Sequence, residues 1–232
     1  LMLPDGCLIY KGRKDFRVKI RGYGVVVAEV EKTLRCHLGI SDVVVVGRPD
    51  GSGEARLVAY FTSHSRPAPN VSELRRFLNE KLPDYMIPSA FVALESFPLT
   101  PNGKIDRKSL PTPGKSRPEL NTLFEEPRTP IEKELAQTWS EVLSLEKIGV
   151  NDNFFDLGGH SLAATRVVSQ VIKQFRLELP LQSLFQSPTI TEMAAVIEAH
   201  QGKRVSETNL ERMLAELESL SEDEARRLIA EE

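Results

Sequence analysis

The sequence predicts a multidomain chain in which a small α+β domain is followed by an all-α bundle of four helices. Three observations predict this organisation. Five prolines lie between residues 110 and 130, a composition typical of a semi-stiff, extended linker. Before that stretch, apolar runs of strand length alternate with two segments of helical spacing. After it, apolar residues recur at helical spacing.

The first domain is expected to contain four short strands. Phe16–Ile20 alternates charged and apolar residues, which indicates a strand with one exposed face. Asp42–Gly47 and Leu57–Thr62 are apolar runs separated by turn-forming residues 49–53, and Phe91–Leu94 is a further short run.

Two helices are expected between these strands. Apolar residues at helical spacing predict a helix over residues 28–38, which Gly39 is expected to end. A cap at Asn70 or Ser72 predicts a second helix that continues through Leu82. The side chains expected on its buried face are Leu74, Phe77 and Leu78.

Four helical segments are expected in the second domain. Residues 129–144 begin with a threonine and a proline, which favour a helix start, and a long loop follows. Helices over residues 161–175 and 189–199 flank a short helical turn at 181–185. The first helix is expected to bury Leu135, Trp139, Val142 and Leu143.

Composition narrows the class of protein. The 232 residues are 41% hydrophobic and 27% charged, which is ordinary for a globular protein, and the apolar runs are too short for a membrane span. Residues 1–112 carry a net charge of +5 and residues 113–232 carry −8. The acidic half favours a basic protein partner over nucleic acid. The alternative is that both charge biases are ordinary solvated surface. With only Cys7 and Cys36, no metal site or disulfide framework is expected, and a reducing cytoplasmic setting fits.

Ser161 is the strongest candidate for a modified residue. It follows Gly158 and Gly159, which allow a sharp turn and a close approach of the backbone. It opens an apolar-periodic helix in which Leu162 and Val167 are expected to face the bundle. A phosphate on its oxygen would lie at the positive end of the helix dipole, which is worth roughly 0.3–1 kcal/mol at an exposed site. The simpler alternative is that Ser161 only caps the helix. His160 could serve as a base for it, but no G-x-S-x-G frame is present, so a surface histidine is expected.

Lys104 is the second candidate. It lies in a turn bounded by Pro101, Gly103 and Asp106, and a lysine on a mobile loop can deliver positive charge to a carboxylate or phosphate. A solvated turn lysine is the alternative.

Residues 152–162, Asp-Asn-Phe-Phe-Asp-Leu-Gly-Gly-His-Ser-Leu, closely resemble the thiolation motif of peptidyl carrier domains in nonribosomal peptide synthetases. The resemblance implies that Ser161 receives 4′-phosphopantetheine from coenzyme A through a phosphopantetheinyl transferase. The thiol of that arm would then carry an amino acid or peptide as a thioester. In this role the carrier raises the effective concentration of its cargo at each partner site.

Residues 12–111 resemble the C-terminal subdomain, or lid, of synthetase adenylation domains. The run 12–22 matches the hinge motif and the run 101–107 matches the terminal lysine motif. The resemblance implies that Asp15 is the pivot of a large rotation and that Lys104 serves the adenylation step in one orientation. The chain departs from the family where arginine, glutamate and glycine are usual, and has Gly24, Val26 and Ala28 instead.

The resemblance predicts five segments: the end of an adenylation core (1–11), the lid (12–111), a linker (112–127), the carrier (128–202) and an acidic helical linker or docking tail (203–232). The first residues resemble the middle of a longer chain, and no ATP-binding loop of the adenylation core is present in the sequence. ATP and Mg²⁺ are therefore expected to bind only together with that core. No adenylation is expected from the chain alone.

The partners implied are the transferase with coenzyme A, the adenylation core and neighbouring condensation or other synthetase domains, with no nucleic acid or membrane. The alternatives are the lid and carrier of an acyl-activating or reductase-type adenylating enzyme, and a non-catalytic helical docking module. The activated acid, the product and the neighbouring modules stay open.

Overall fold

The computed structural model describes residues 17–49, 53 and 55–202. The predicted hinge residue Asp15, the predicted end of the core at 1–11 and the tail at 203–232 lie outside the described residues. The first described element is a β-hairpin of β1 (Arg17–Ile20) and β2 (Tyr23–Val26), paired antiparallel with Val18 opposite Val25. Arg21 and Gly22 form its turn with φ of 47° and 88°, the left-handed conformation that tight hairpin turns use.

A three-stranded sheet forms the centre of the first domain. Its order is β3 (Ile40–Pro49), β4 (Ala55–Ser63), β5 (Ala90–Ala93), with the first pair antiparallel and the second parallel. The strands begin and end within a few residues of the predicted runs. They are apolar on both faces because both faces are covered. Val43 and Val45 face the helices, whereas Val44 and Tyr60 pack with Leu110 on the other side.

The two helices of this domain are shorter than predicted. Helix α1 (Val27–Arg35) ends before Leu38, which is 97% exposed, because a tight turn through residues 36–39 delivers the buried Ile40 to the sheet. Gly39 therefore does not end the helix, and Cys36 occupies the C-cap.

Helix α2 (Val71–Asn79) begins at the predicted cap. The Asn70 side chain accepts a hydrogen bond from the Glu73 N–H at 3.0 Å. The helix ends at Asn79 rather than Leu82, and Leu82 instead joins the core cluster beside Leu74 and Leu78.

The proline-rich stretch contains no helix or strand in residues 110–129, as predicted, but it is anchored to both domains. At its start, the Arg48 Nη2 donates to the Leu110 carbonyl at 2.6 Å, and the Tyr60 hydroxyl donates to the Pro111 carbonyl at 2.5 Å. Further along, Arg117 forms a two-pronged ion pair with Asp152, at 2.7 and 2.6 Å. The linker is thus held at defined positions on both domains.

The second domain consists of α3 (Pro130–Leu143), α4 (Ser161–Phe175), α5 (Ser183–Gln186) and α6, which spans the described residues 190–202. The expected burial of Leu135 and Trp139 is confirmed, whereas Val142 and Leu143 are only partly buried at the rim of the core. The centre of the core is formed by Trp139, Phe154, Val167, Val171, Leu184, Ile190, Met193 and Ile197. Helix α6 continues past the predicted end at Ala199.

Candidate functional site

The loop before Ser161 is fixed by a buried carboxylate. Asp152 is fully buried and accepts hydrogen bonds from the Gly149 N–H at 2.8 Å and the Thr122 hydroxyl at 3.0 Å, in addition to Arg117. A carboxylate so placed needs several donors, and here they come from the loop itself and from the linker. Two residues further on, the Phe154 ring packs edge-on against Trp139 with centroids 4.9 Å apart. The loop is therefore held in one conformation.

The glycine pair is required by close approach. Gly158 has φ of 102°, and a Cβ on it would lie 2.5 Å from the carbonyl oxygen of Ser89 in the first domain. A Cβ on Gly159 would lie 2.3 Å from the Phe154 ring. One glycine thus lets the loop contact the first domain and the other lets it fold over its own core.

Ser161 is the first residue of α4 and not its cap. His160 is the N-cap, and its Nδ1 accepts a hydrogen bond from the Ala163 N–H at 3.2 Å. The half-buried His160, and not Ser161, therefore caps the helix. The Ser161 side chain is exposed, and its hydroxyl has no hydrogen-bond partner within the described part of the chain.

The first turn of α4 suits an anion. It contains no acidic residue, so no carboxylate within the turn opposes the attraction of the helix dipole and the free N–H groups for an anion. Val167 is fully buried and fixes the helix, as expected. The expectation that Leu162 faces the bundle is wrong: Leu162 is 38% exposed and lies on the outer surface of the turn, beside Ser161.

A cavity of about 230 Å³ adjoins Ser161 on the side of the first domain. Its walls include Arg21 and Arg75 from the first domain and Gly158 and His160 from the loop. A hydrogen bond of 2.6 Å from the Ser72 hydroxyl to a carboxylate oxygen of Asp156 joins the two domains nearby.

Arg75 is buried in the wall of this cavity. Its Nη2 donates to the Pro88 carbonyl at 2.9 Å, and its Nε has no partner. Burial lowers the pKa of Arg75 to about 10, although the Asp156 carboxylate acts in the opposite direction. A cationic group with incomplete pairing thus lies near the candidate serine.

Lys104 lies at the tip of an exposed hairpin-like loop. Leu99 pairs with Ile105, the Thr100 N–H donates to the Lys104 carbonyl at 2.7 Å, and Gly103 adopts φ of 73°. Lys104 is exposed, which agrees both with a lysine that delivers charge to a partner site and with the solvated alternative.

The base of that loop is anchored by Arg107. Its guanidinium donates to the Val45 carbonyl at 2.9 Å and to the carboxylate of the buried Glu31 at 2.9 Å. Glu31 also accepts from the Val45 N–H at 2.9 Å. The lysine loop is therefore tied to α1 and β3, so its position follows that of the whole first domain.

The structure does not bring the two candidates together. Ser161 and Lys104 share no hydrogen bond or ion pair in the described residues, and Lys104 does not line the cavity beside Ser161. Sequence reasoning missed His160 as the cap, Arg75 as a buried cation and Arg117 as the partner of Asp152. Histidine is an uncommon cap, and the two arginines lie far in sequence from the groups they approach.

Two negative findings apply to the described residues. No group of three or more His, Cys, Asp or Glu side chains is placed to hold a metal ion within residues 17–49, 53 and 55–202. No helix in the same residues has both the length and the apolar character that crossing a bilayer requires.

Two family models match the chain. Residues 29–104 match the AMP-binding enzyme C-terminal domain, and residues 133–197 match the phosphopantetheine attachment site. Tyrocidine synthase 3 of Brevibacillus parabrevis is 45% identical over 192 residues, and bacitracin synthase 1 of Bacillus licheniformis is 41% identical over 206 residues. The chain belongs to the nonribosomal peptide synthetase family.

The aligned regions include most of this chain but only a small part of each relative. The alignments include 83% and 89% of this chain, but the chain spans only 3% and 4% of the length of the two relatives. A solved structure of holo-PA1221, a synthetase protein with adenylation and peptidyl carrier domains bound to a vinylsulfonamide inhibitor, is 28% identical with a TM-score of 0.54. The aligned region includes 85% of this chain and 31% of the PA1221 chain. The predicted order, adenylation C-terminal subdomain followed by carrier domain, is confirmed.

Proposed function

We propose that Ser161 is the residue that receives 4′-phosphopantetheine. The strongest support is the start of α4, where His160 caps the helix and the Ser161 hydroxyl stays exposed. A serine that capped its own helix would have that hydroxyl engaged with a backbone N–H.

The residues around Ser161 fit a phosphodiester. The first turn of α4 contains no carboxylate, and the N–H groups at a helix start favour an anion. The Nδ1 of His160 already accepts from Ala163, so that nitrogen is not available as a base for Ser161. In the neutral imidazole the proton is then on Nε2, so neither nitrogen is a free base, and the general base for the transfer would come from the transferase.

In the transfer, Ser161 Oγ would form a bond to the phosphorus that bears the pantetheine, while the bond from that phosphorus to the rest of coenzyme A breaks. The hydroxyl proton passes to the base of the transferase, and adenosine bisphosphate departs as the leaving group. When bound, the group supplies a thiol that holds an amino acid or peptide as a thioester. The contribution of this chain is to fix the attachment oxygen at a rigid helix start, through the buried Asp152 and Phe154 behind it.

For the first domain we propose the role of adenylation lid. Lys104 would supply positive charge to the substrate carboxylate and the ATP phosphates, and Asp15 would be the hinge. Support comes from the exposure of Lys104 at a loop tip and from the rigid attachment of that loop through Arg107 and Glu31. ATP and Mg²⁺ would be used only together with an adenylation core.

We propose that the domains divide as lid 12–111, linker 112–127 and four-helix carrier bundle 128–202, with 1–11 the end of a core and 203–232 a linker or docking tail. The partners would be a phosphopantetheinyl transferase with coenzyme A, an adenylation core, and neighbouring condensation or other synthetase domains. The exposed first turn of α4 supports access by such partners.

The test is the intact mass of the chain after incubation with coenzyme A and a promiscuous phosphopantetheinyl transferase. The mass is expected to rise by one phosphopantetheine arm. Ser161→Ala should abolish the gain, while Ser169→Ala, an exposed serine on the same helix, should keep it. No gain in the wild-type protein, or a gain retained in Ser161→Ala, would overturn the assignment.

A further inference from the structure

The cavity beside Ser161 contains a cationic group that the proposed carrier and lid functions do not use. Arg75 is 8% exposed, and no carboxylate lies within ion-pair distance of it in the described residues. Its Nη2 has one carbonyl partner, but its Nε is buried without any partner. A buried guanidinium with incomplete pairing is costly, so an anion that reached it would be bound favourably.

Charged side chains of both signs surround Arg75, but none of the carboxylates pairs with it in the described residues. Arg21 lines the same cavity, and its like charge lowers the pKa of Arg75 further. The carboxylates of Asp156, whose effect is the larger, and of Asp84 act in the opposite direction. Asp84 is exposed in the cavity wall, and one oxygen of Asp156 accepts from the Ser72 hydroxyl.

The loop that bears Ser161 is docked onto the first domain beside this cation. Gly158 contacts the Ser89 carbonyl so closely that no side chain fits between them, and the Asp156–Ser72 hydrogen bond fixes the loop just before it. Ser161 itself lines the cavity that contains Arg75. A phosphodiester attached to Ser161 would be anionic and would stand at the wall of a cavity that Arg75 and Arg21 line together with Asp84.

We propose that Arg75, with Arg21, forms a binding site in the lid for the phosphodiester attached to Ser161, so that modification strengthens the docking of the carrier on the lid. The inference rests on the proposed attachment at Ser161. An arginine fork is suited to phosphate oxygens, and the Nε of Arg75 is the donor still to be satisfied. The phosphodiester thus acts as a contact between domains as well as a tether.

The first test compares amide hydrogen exchange in the apo and fully loaded forms of the whole chain. Loading is expected to slow exchange at residues 72–79 and 84–89 by about threefold or more, since a charge-assisted hydrogen bond is formed there. Arg75→Gln should remove the difference between the two forms. Arg76→Gln changes the exposed neighbour on the same helix and should keep it.

Intact mass separates this inference from the attachment itself. If the chain does not load, the assignment of Ser161 fails. If it loads fully but exchange is the same in both forms, or if Arg75→Gln retains the difference, the phosphodiester site in the lid is wrong.

A second measurement needs no substitution, in case Arg75→Gln fails to fold. In the loaded wild-type chain, the ³¹P resonance of the phosphodiester should move and sharpen when salt is raised to molar concentration, because screening weakens an ion pair at the cavity wall. A resonance that does not respond to salt would overturn the site.

Discussion

At the scale of single residues, the site depends on two neighbours with separate tasks. His160 satisfies a free N–H at the start of α4, and Ser161, one residue later, keeps its hydroxyl in solvent. A helix start normally favours serine as its cap, which would engage the hydroxyl. The histidine therefore explains how a serine at a helix start can stay available for modification.

Replacing the cap tests this division. His160→Ala should lower the unfolding free energy of the carrier domain by about 1 kcal/mol, because the Ala163 N–H loses its acceptor. His160→Asn should recover most of the loss, since asparagine is among the best N-cap residues. Urea denaturation monitored at Trp139 measures both. Equal stability of the alanine variant and the wild type would contradict the capping role.

Lys104 also permits a matched pair of substitutions. With the chain joined to an adenylation core, Lys104→Ala should slow adenylation by about 100-fold or more, the usual effect of removing a positioned charge from a transition state. Lys108→Ala, which removes an exposed lysine from the same loop region, should change the rate little. ATP–pyrophosphate exchange is the assay, and comparable losses in both variants would argue against a specific role for Lys104.

Among the secondary-structure elements, α3 has all the local residues that mark the start of a helix. The Thr129 hydroxyl accepts from the Glu132 N–H at 3.2 Å, and the Glu132 carboxylate accepts from the Thr129 N–H at 2.9 Å and from the Arg128 N–H at 2.7 Å. This capping box, with Pro130 in the first turn, explains why the start of α3 was predictable to within a residue.

The capping box predicts a pH dependence. The backbone N–H of Thr129 and then that of Arg128 lower the pKa of Glu132 below its ordinary value of 4.5. The unfolded chain therefore binds the proton more readily, so the contribution of Glu132 is complete above about pH 4.5 and is lost as pH falls below that value. Glu132→Gln should flatten the fall in unfolding free energy under acid conditions, whereas Glu198→Gln, an exposed control on α6, should leave it unchanged. Identical acid profiles for all three proteins would refute the assignment.

Elements with such local signals were predicted well, and those decided by tertiary contacts were not. The start of α2 at Asn70 and the span of α4 follow from caps and periodicity. The end of α1 at Arg35 instead depends on a tertiary contact, because the chain must turn there for Ile40 to enter the sheet. No residue near the end of the helix indicates this. For the same reason Leu162 was misplaced: helical spacing identifies an apolar stripe but not which of its edge residues a core covers.

At the scale of the whole molecule, the stretch between the domains belongs structurally to both. Its start is held by Arg48 and Tyr60 of the first domain, and Arg117 enters the second domain to reach the fully buried Asp152. Proline content predicted the irregular backbone here, but the anchors join residues 35 or more positions apart and could not be read from composition. The linker thus restricts how the carrier can move relative to the lid.

The Arg117–Asp152 pair gives the most direct test of this view. Arg117→Ala should destabilise the carrier domain by about 3–5 kcal/mol, because it leaves a buried carboxylate without its cation, even though residue 117 precedes the predicted start of the carrier. Lys115→Ala changes an exposed linker residue that contributes only its carbonyl to the contact with Glu146, and should have little effect. Adding Asp152→Asn to Arg117→Ala should recover part of the loss, since the amide does not bury an unpaired charge and can still accept from the Gly149 N–H. Urea denaturation of the four proteins measures these differences as a set. If Arg117→Ala were as stable as Lys115→Ala, the linker would be a passive connection and the carrier would begin at its first helix, α3.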